Sequence, residues 1–182
     1  MSRADSTGHL TSPVGPDDHV QGPADAALTL VEYGDYQCPY CGQAYPIVKE
    51  VQKRLGAQLR FVFRNMPLAQ VHPHAELAAE AAESAGAQGK FWEMHDALYE
   101  HQSELGLETI LRLAKKLHLD VPLLESDLQS GKHRARVKHD FTSGVRSGVA
   151  GTPTFFVQEE RFDGDWTDAS AFANALHAIL RG

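Results

Sequence analysis

The 182-residue chain has only two cysteines, Cys38 and Cys41, and two residues separate them. A framework of structural disulfides needs more cysteines at wider spacing, so the sequence excludes one. A bond between these two thiols would close a very short loop, which constrains the unfolded chain little. The pair therefore has little value as a structural cross-link, and this favours a chemical role for it.

Positive charge is also scarce, because 17 Lys and Arg residues face 24 Asp and Glu residues and the formal net charge is -7. This balance predicts no phosphate-binding surface and therefore no nucleic-acid partner. No apolar run approaches the length of a membrane span, so we expect no membrane partner. No apolar signal segment follows Met1, and we therefore expect a cytoplasmic protein.

Several cofactor and nucleophile motifs are missing as well. The chain has no Gly-rich phosphate loop, no nicotinamide fingerprint and no serine elbow. We therefore expect no cofactor other than a redox-active Cys38–Cys41 disulfide, so that electrons pass through sulfur alone. Hydrophobic residues make up 42% of the chain, which is enough for an ordinary globular core.

The order of the elements predicts an α/β fold with a helical insertion. A buried strand at 28–33, a helix at 39–55 and a second strand at 59–64 form a βαβ unit. Several helical segments follow, the first of them an Ala- and Glu-rich stretch at 75–87. After them come a third strand, a hairpin returning at Arg161 and Phe162, and a last helix capped by Thr167 or Asp168. The predicted domains are a flexible N-terminal arm rich in Gly, Pro, Ser and Asp (1–24), a sheet domain (25–71 and 148–182) and an inserted α-helical domain (72–147).

The two cysteines stand at the predicted start of the helix at 39–55. Backbone N–H groups without partners and the positive end of the helix dipole both favour a thiolate there. The thiolate is the attacking form of cysteine, and a lowered pKa also makes it a good leaving group. We therefore interpret Cys38 as a nucleophile whose sulfur emerges at the helix tip, and Cys41 as the resolving thiol one turn later. Pro39 suits the first turn because it has no N–H to leave unpaired.

An acid stands in the middle of the first apolar strand, at Glu32. Burial there would favour its protonated form, and it could then exchange a proton with Cys41. A solvated Glu32 at an edge is an equal alternative. Asp35 is a rival for the proton role because it is closer to the cysteines in sequence.

Two further interpretations concern other residues. A zinc site is one alternative, with Cys38, Cys41, His72 and His74 as its ligands, although the two histidines are closely spaced for a zinc pair.

Pro153 follows Thr152 just before the third strand, and on composition alone it is an ordinary trans loop proline. A cis bond would instead leave the backbone of Thr152 available to an extended substrate.

Three motifs together resemble the DsbA-like branch of the thioredoxin superfamily. They are Cys38-Pro39-Tyr40-Cys41, Phe-Trp-Glu-Met-His-Asp at 91–96, and Gly-Thr-Pro-Thr-Phe-Phe at 151–156. The resemblance covers residues 18 to 181. It implies a thioredoxin-like fold, in which helices flank a central mixed sheet and a helical domain is inserted after the second strand.

The resemblance also implies roles for individual residues. Pro153 would be cis and lie across from Cys38, and Glu32 would be the buried acid beneath the active site. The substrate would bind at Pro39, Tyr40, Thr152 and Pro153.

The sequence departs from the best-known members at two places. The dipeptide between the cysteines is Pro-Tyr rather than Pro-His, and since Tyr40 adds no positive charge we expect a smaller pKa shift at Cys38. The turn at Gln158, Glu159 and Glu160 lacks the usual Gly, which puts the hairpin geometry in question.

The residues and the resemblance together predict a protein-disulfide oxidoreductase. It would exchange disulfides with protein or small-molecule thiols and would need a reductase or an oxidant as its redox partner. In a reducing cytoplasm we expect net reduction, and after export net oxidation. The alternative is a redox-independent peptide-binding or chaperone-like module that uses the groove at Pro153. Trp92, Met94 and His95 are expected to pack between the inserted domain and the sheet domain rather than to hold a cofactor.

Overall fold

The computed structural model describes residues 8–182, and two compact units make up the chain. Among these residues, the first unit comprises 8–34, Gln43–Arg64 and Thr142–Gly182, and the second comprises Asp35–Gly42 and Asn65–Phe141. The predicted insertion at 72–147 therefore has different bounds in the structure. The cysteine loop and residues 65–71 belong with the helices, and residues 142–147 belong with the sheet.

The first unit contains a five-stranded mixed sheet with the strand order β1-β3-β2-β4-β5. Its strands are β1 (His19–Gln21), β2 (Leu28–Gly34), β3 (Leu59–Asn65), β4 (Thr154–Val157) and β5 (Glu160–Arg161). β1 pairs antiparallel with β3, and β4 pairs antiparallel with both β2 and β5. The apolar runs that predicted three strands therefore lie at the centre of the sheet, in β3, β2 and β4.

Two helices accompany this sheet, α1 (Pro39–Leu55) and α7 (Ala169–Arg181). Helix α1 has the predicted bounds, and it contains an internal proline, Pro46, which removes one helical N–H donor. Of the two predicted caps of α7, Asp168 is the one used, and its carboxylate accepts the Ala171 N–H at 2.8 Å.

Aromatic side chains fill the core of the first unit. Phe155 on β4 packs edge-on against Phe172 of α7, with 5.1 Å between ring centroids. Tyr33 on β2 packs against Phe156 in the same manner at 5.8 Å. All four side chains are fully buried.

The second unit is helical. It contains α2 (Ala75–Ala87), α3 (Phe91–Glu100), α4 (Leu107–Lys116), α5 (Val121–Ser130) and most of α6 (Arg134–Arg146). Helix α2 has the predicted bounds, because its Ala- and Glu-rich sequence favours a helix at almost every position. Across residues 8–182, none of the helices combines the length and apolarity that crossing a membrane requires.

The β4–β5 hairpin forms without a glycine in its turn. Gln158 and Glu159 both have positive φ values, 50° and 72°, a pattern that Gly, Asn or Asp usually supplies. Long-range hydrogen bonds stabilise this unusual backbone. The Gln158 carboxamide accepts the Thr29 N–H and donates to the Ala27 carbonyl, both at 2.9 Å. The Leu10 N–H donates to the Glu159 carbonyl at 2.7 Å.

The prediction of a flexible arm at 1–24 is wrong for residues 8–24, whereas residues 1–7 lie outside the described residues. Leu10 is buried, and β1 joins the edge of the sheet. The carboxylate of Asp18 accepts two hydrogen bonds from the buried Arg64 guanidinium, at 2.8 and 2.9 Å. The same guanidinium donates to the carbonyls of Ser12 and Pro13. The segment is therefore attached by a buried ion pair that its local composition does not reveal.

We expect Asp18→Ala to lower the free energy of unfolding by about 3 kcal/mol, because it leaves the Arg64 guanidinium buried without its carboxylate. Urea denaturation of the purified protein measures this change. The matched control is the exposed neighbour Asp17, whose replacement by alanine should change stability by less than about 0.5 kcal/mol. Equal stabilities for the two variants would contradict the proposed attachment.

Candidate active site

Cys38 is the residue immediately before helix α1, and Cys41 lies within the first turn of that helix. The Cys38 carbonyl accepts the Gly42 N–H at 3.0 Å, which closes that turn. Both cysteines are thiols in this structure and lie close together. The first-turn N–H groups and the positive end of the helix dipole therefore lie beside Cys38, as the sequence predicted.

The two thiols are more enclosed than the sequence predicted. Cys38 is 4% exposed and Cys41 is 0% exposed. The sequence predicts that the sulfur of Cys38 emerges at the helix tip, and only a small part of Cys38 is accessible in the structure. The accessible residue of the pair is nevertheless Cys38.

The carboxylate of Asp35 binds the loop that leads to the cysteines. Its Oδ1 accepts the backbone N–H groups of Gln37 at 2.7 Å and Cys38 at 3.2 Å. Its Oδ2 accepts the Leu68 N–H at 2.9 Å and lies 2.7 Å from Nδ1 of His72. The carboxylate thus has four donors and is fully buried. This occupancy weakens its candidacy as a proton acceptor for Cys41, and it identifies Asp35 as the anchor of the loop.

The side chain of Gln102 holds the carbonyl groups of the same loop. Its Nε2 donates to the carbonyl of Tyr36 at 2.9 Å and to that of Cys38 at 2.8 Å. A Cβ atom at Gly42 would overlap the Gln102 carboxamide, so any other residue there would require this carboxamide to move from its present position. Sequence analysis missed Gln102 because it lies 64 residues from Cys38 in a segment without a motif.

Aromatic rings of helix α3 pack against the loop within the second unit. The buried His95 ring contacts Tyr36 edge-on at 5.6 Å and Trp92 at 5.0 Å. Tyr99 lies 5.0 Å from Tyr36. These rings therefore have a packing role, and this accounts for part of the 91–96 motif. The loop residues cluster with the helical unit because Asp35, Tyr36 and Cys38 all make contacts to it.

The first unit holds Glu32 and Pro153. Glu32 is 3% exposed on β2, opposite Phe155 of β4, so the alternative of a solvated edge residue is wrong. The Thr152–Pro153 peptide bond is cis. Pro153 is half-buried and lines a cavity of about 240 Å³ together with Phe162 and Trp166.

Tyr40, between the two cysteines, is 63% exposed, and Pro39 is also exposed. Both side chains are therefore available to a partner molecule. Their exposure contrasts with the burial of the cysteines on either side.

The two histidines of the zinc interpretation have other contacts. His72 binds Asp35, and the backbone N–H of His74 donates to the Gln37 carboxamide at 2.7 Å. Among residues 8–182, no group of three or more His, Cys, Asp and Glu side chains is arranged to hold a metal ion.

Comparison with curated proteins relates the chain to part of a transporter. The chain is 48% identical, over 174 residues, to a part of the Na(+)/H(+) antiporter NhaA 1 of Salinispora arenicola. The alignment covers 95% of this chain and 26% of the antiporter. The chain thus spans about a quarter of the length of the curated relatives that it matches.

Two solved structures are similar over nearly the whole chain. BdbD from Bacillus subtilis, in its oxidised form, has a TM-score of 0.79 and 25% identity, with 96% of this chain and 94% of that chain covered. A thioredoxin-like oxidoreductase from Silicibacter pomeroyi has a TM-score of 0.78 and 27% identity, with 100% and 99% covered. These similarities confirm the predicted thioredoxin-like fold class and the resemblance to DsbA-like oxidoreductases. The family model Thioredoxin_4, described as Thioredoxin, matches residues 15–177, and the chain therefore belongs to this family.

Proposed function

We propose that the protein is a thiol–disulfide oxidoreductase that uses Cys38 as its nucleophile and Cys41 as its resolving thiol. The observation that carries the proposal is the position of Cys38 immediately before helix α1, with Cys41 in the first turn. The difference in exposure supports the order of events, because a partner disulfide reaches Cys38 before the enclosed Cys41. No cofactor is needed, since the two sulfurs carry both electrons.

In the reducing direction, the Cys38 thiolate attacks one sulfur of a partner disulfide. A mixed disulfide with Cys38 forms, and the other partner sulfur leaves as a thiolate. The Cys41 thiol then loses its proton and attacks the Cys38 sulfur. The Cys38–Cys41 disulfide forms, the partner leaves as a second thiolate, and two electrons have passed to the partner. Oxidation of a partner dithiol is the reverse sequence.

The substrate surface is proposed to comprise Pro39, Tyr40, Thr152 and Pro153. The exposed ring of Tyr40 offers apolar contact area beside the nucleophile. The cavity at Pro153 is lined by the aromatic rings of Phe162 and Trp166 and also by the charged residues Arg161 and Asp163, so it offers both apolar and polar contacts to an extended peptide. This arrangement favours protein disulfides over small ones as substrates.

Glu32 is proposed as the group that exchanges a proton with Cys41. Its side chain is buried on a central strand, and a buried carboxyl group can act as a proton donor or acceptor in catalysis. Asp35, the rival, already accepts four hydrogen bonds.

A second proposal concerns the partner. Because related sequences form about a quarter of curated Na(+)/H(+) antiporter chains, we infer that this domain exchanges disulfides with a membrane transport protein, a partner that the sequence alone does not predict. Mixed disulfides trapped by the Cys41→Ser variant in source cells can be identified by mass spectrometry. An antiporter among the trapped proteins supports the inference. If trapped proteins from membrane fractions repeatedly include no antiporter, the inference is contradicted.

The cysteine variants test the exchange reaction. Cys38→Ser should abolish reduction of insulin in the presence of dithiothreitol, because no other thiol is positioned to attack. Cys41→Ser should instead accumulate mixed disulfides through Cys38, visible on non-reducing gels. Full turnover by the Cys38→Ser protein would reject the mechanism.

The proton role of Glu32 predicts a defect in the second step alone. Glu32→Gln should slow the resolution of a mixed disulfide at Cys38 by about a hundredfold near neutral pH. The alkylation rate of Cys38 by iodoacetamide should stay close to that of the unmodified protein. Glu50→Gln, at an exposed acid of the same region, serves as the control and should resolve the mixed disulfide normally. A normal resolution rate in both variants would exclude Glu32 from proton transfer.

A further inference from the structure

We propose that His72 is a positioning residue for the exchange reaction: in its cationic form, the imidazole binds Asp35 and offsets the negative charge that this carboxylate brings to the cysteine loop. The inference rests on the proposed thiol chemistry of Cys38. Zinc binding or packing alone would not give His72 this effect on the charge of Asp35.

The hydrogen bonds join the buried carboxylate of Asp35 to the backbone of the loop that carries the cysteines. Oδ1 of Asp35 lies 3.2 Å from the backbone nitrogen of Cys38. The backbone nitrogen of Asp35 itself lies 3.5 Å from the Cys41 sulfur. When it is ionised, the Asp35 carboxylate therefore brings a negative charge to the backbone of Cys38, in the same loop whose Asp35 N–H contacts the Cys41 sulfur.

That charge acts against the chemistry proposed for Cys38. A nearby negative charge disfavours formation of a second one, so an ionised Asp35 opposes the Cys38 thiolate. Three of its four donors are backbone N–H groups, which carry no net charge. The fourth donor, His72, is the only one that can become a cation.

The position of His72 suits this function. Its Nδ1 lies 2.7 Å from Oδ2 of Asp35, and its side chain is 18% exposed while that of Asp35 is not exposed. The imidazole can therefore exchange protons with water and contact the enclosed carboxylate at the same time. With His72 protonated, the pair is neutral as a whole and the repulsion felt by the Cys38 thiolate falls.

Other titratable groups also stand at this loop. Tyr36 and Tyr40 belong to it, and His95 and Tyr99 of α3 pack against Tyr36. Cys38 and Cys41 belong to the loop and the first turn of α1. His74 is held at the loop through its backbone N–H and the Gln37 side chain, and Glu76 is exposed in the first turn of α2. His74 is thus the matched control for His72, because it is a histidine of the same segment without an ion pair to Asp35.

The experiment measures the acidity of Cys38 in the full chain by ultraviolet thiolate absorbance and by the pH dependence of its alkylation. His72→Gln keeps a hydrogen-bond donor without a charge, and we expect it to make Cys38 about tenfold less acidic. His72→Lys keeps a positive charge, and it should restore the acidity to near that of the unmodified protein. His74→Gln should leave the acidity unchanged.

A double-mutant cycle separates the charge effect from packing. In an Asp35→Asn background, His72→Gln should no longer change the acidity of Cys38, because the charge to be offset is absent. A His72→Gln protein with reduced thermal stability but an unchanged Cys38 titration would overturn the proposal. So would a His72→Lys protein that titrates like His72→Gln, and this pair of variants keeps the test valid if Asp35→Asn does not fold.

The titration needs no substrate, so its result is independent of the proposed enzyme activity. Insulin reduction by the unmodified protein tests that activity separately. A shifted titration with no insulin reduction would retain the His72 assignment and reject the function. An unshifted titration with normal insulin reduction would retain the function and reject the assignment.

Discussion

The carboxylate of Asp35 accepts N–H groups from its own loop and from a segment 33 and 37 residues further along the chain. A buried carboxylate is costly unless hydrogen bonds compensate the loss of water, and here four donors do so. The same contacts fix the backbone directly before Cys38. The geometry of the reactive loop is therefore coupled to the correct folding of the helical unit, and a displaced residue 68 or 72 would leave a charge unsatisfied next to the thiols.

Gln102 complements Asp35 because it acts on groups of the opposite polarity. Asp35 accepts the N–H groups of the loop, whereas Gln102 donates to the carbonyls of Tyr36 and Cys38. A loop that is bonded through both its donors and its acceptors has little freedom to rearrange. This restraint agrees with the low exposure of both cysteines. Of the four residues from Cys38 to Cys41, Pro39 and Tyr40 are the ones that are exposed.

Regular elements were predictable from the sequence because their signals are local. The apolar spacing in α1 and the Ala-rich composition of α2 gave bounds that the structure reproduces. The arm at 1–24 was assigned wrongly over its described residues, because a Gly- and Pro-rich segment has no periodicity. Its attachment depends on an ion pair between residues 46 positions apart, Asp18 and Arg64. For the same reason sequence analysis singled out the cysteines and the proline, whose motifs are local. It did not find the contacts of Asp35 and Gln102, which form only when distant segments meet.

The separation of these partners along the chain has a consequence for synthesis. The Gln102 contact to Cys38 spans 64 residues, and the ribosome makes the chain from its N-terminus. The cysteines are therefore translated well before the residue that binds the carbonyls of their loop. During this interval the loop that carries both thiols lacks the hydrogen bonds that fix it in the folded protein, and these form only when residues up to Gln102 have left the ribosome.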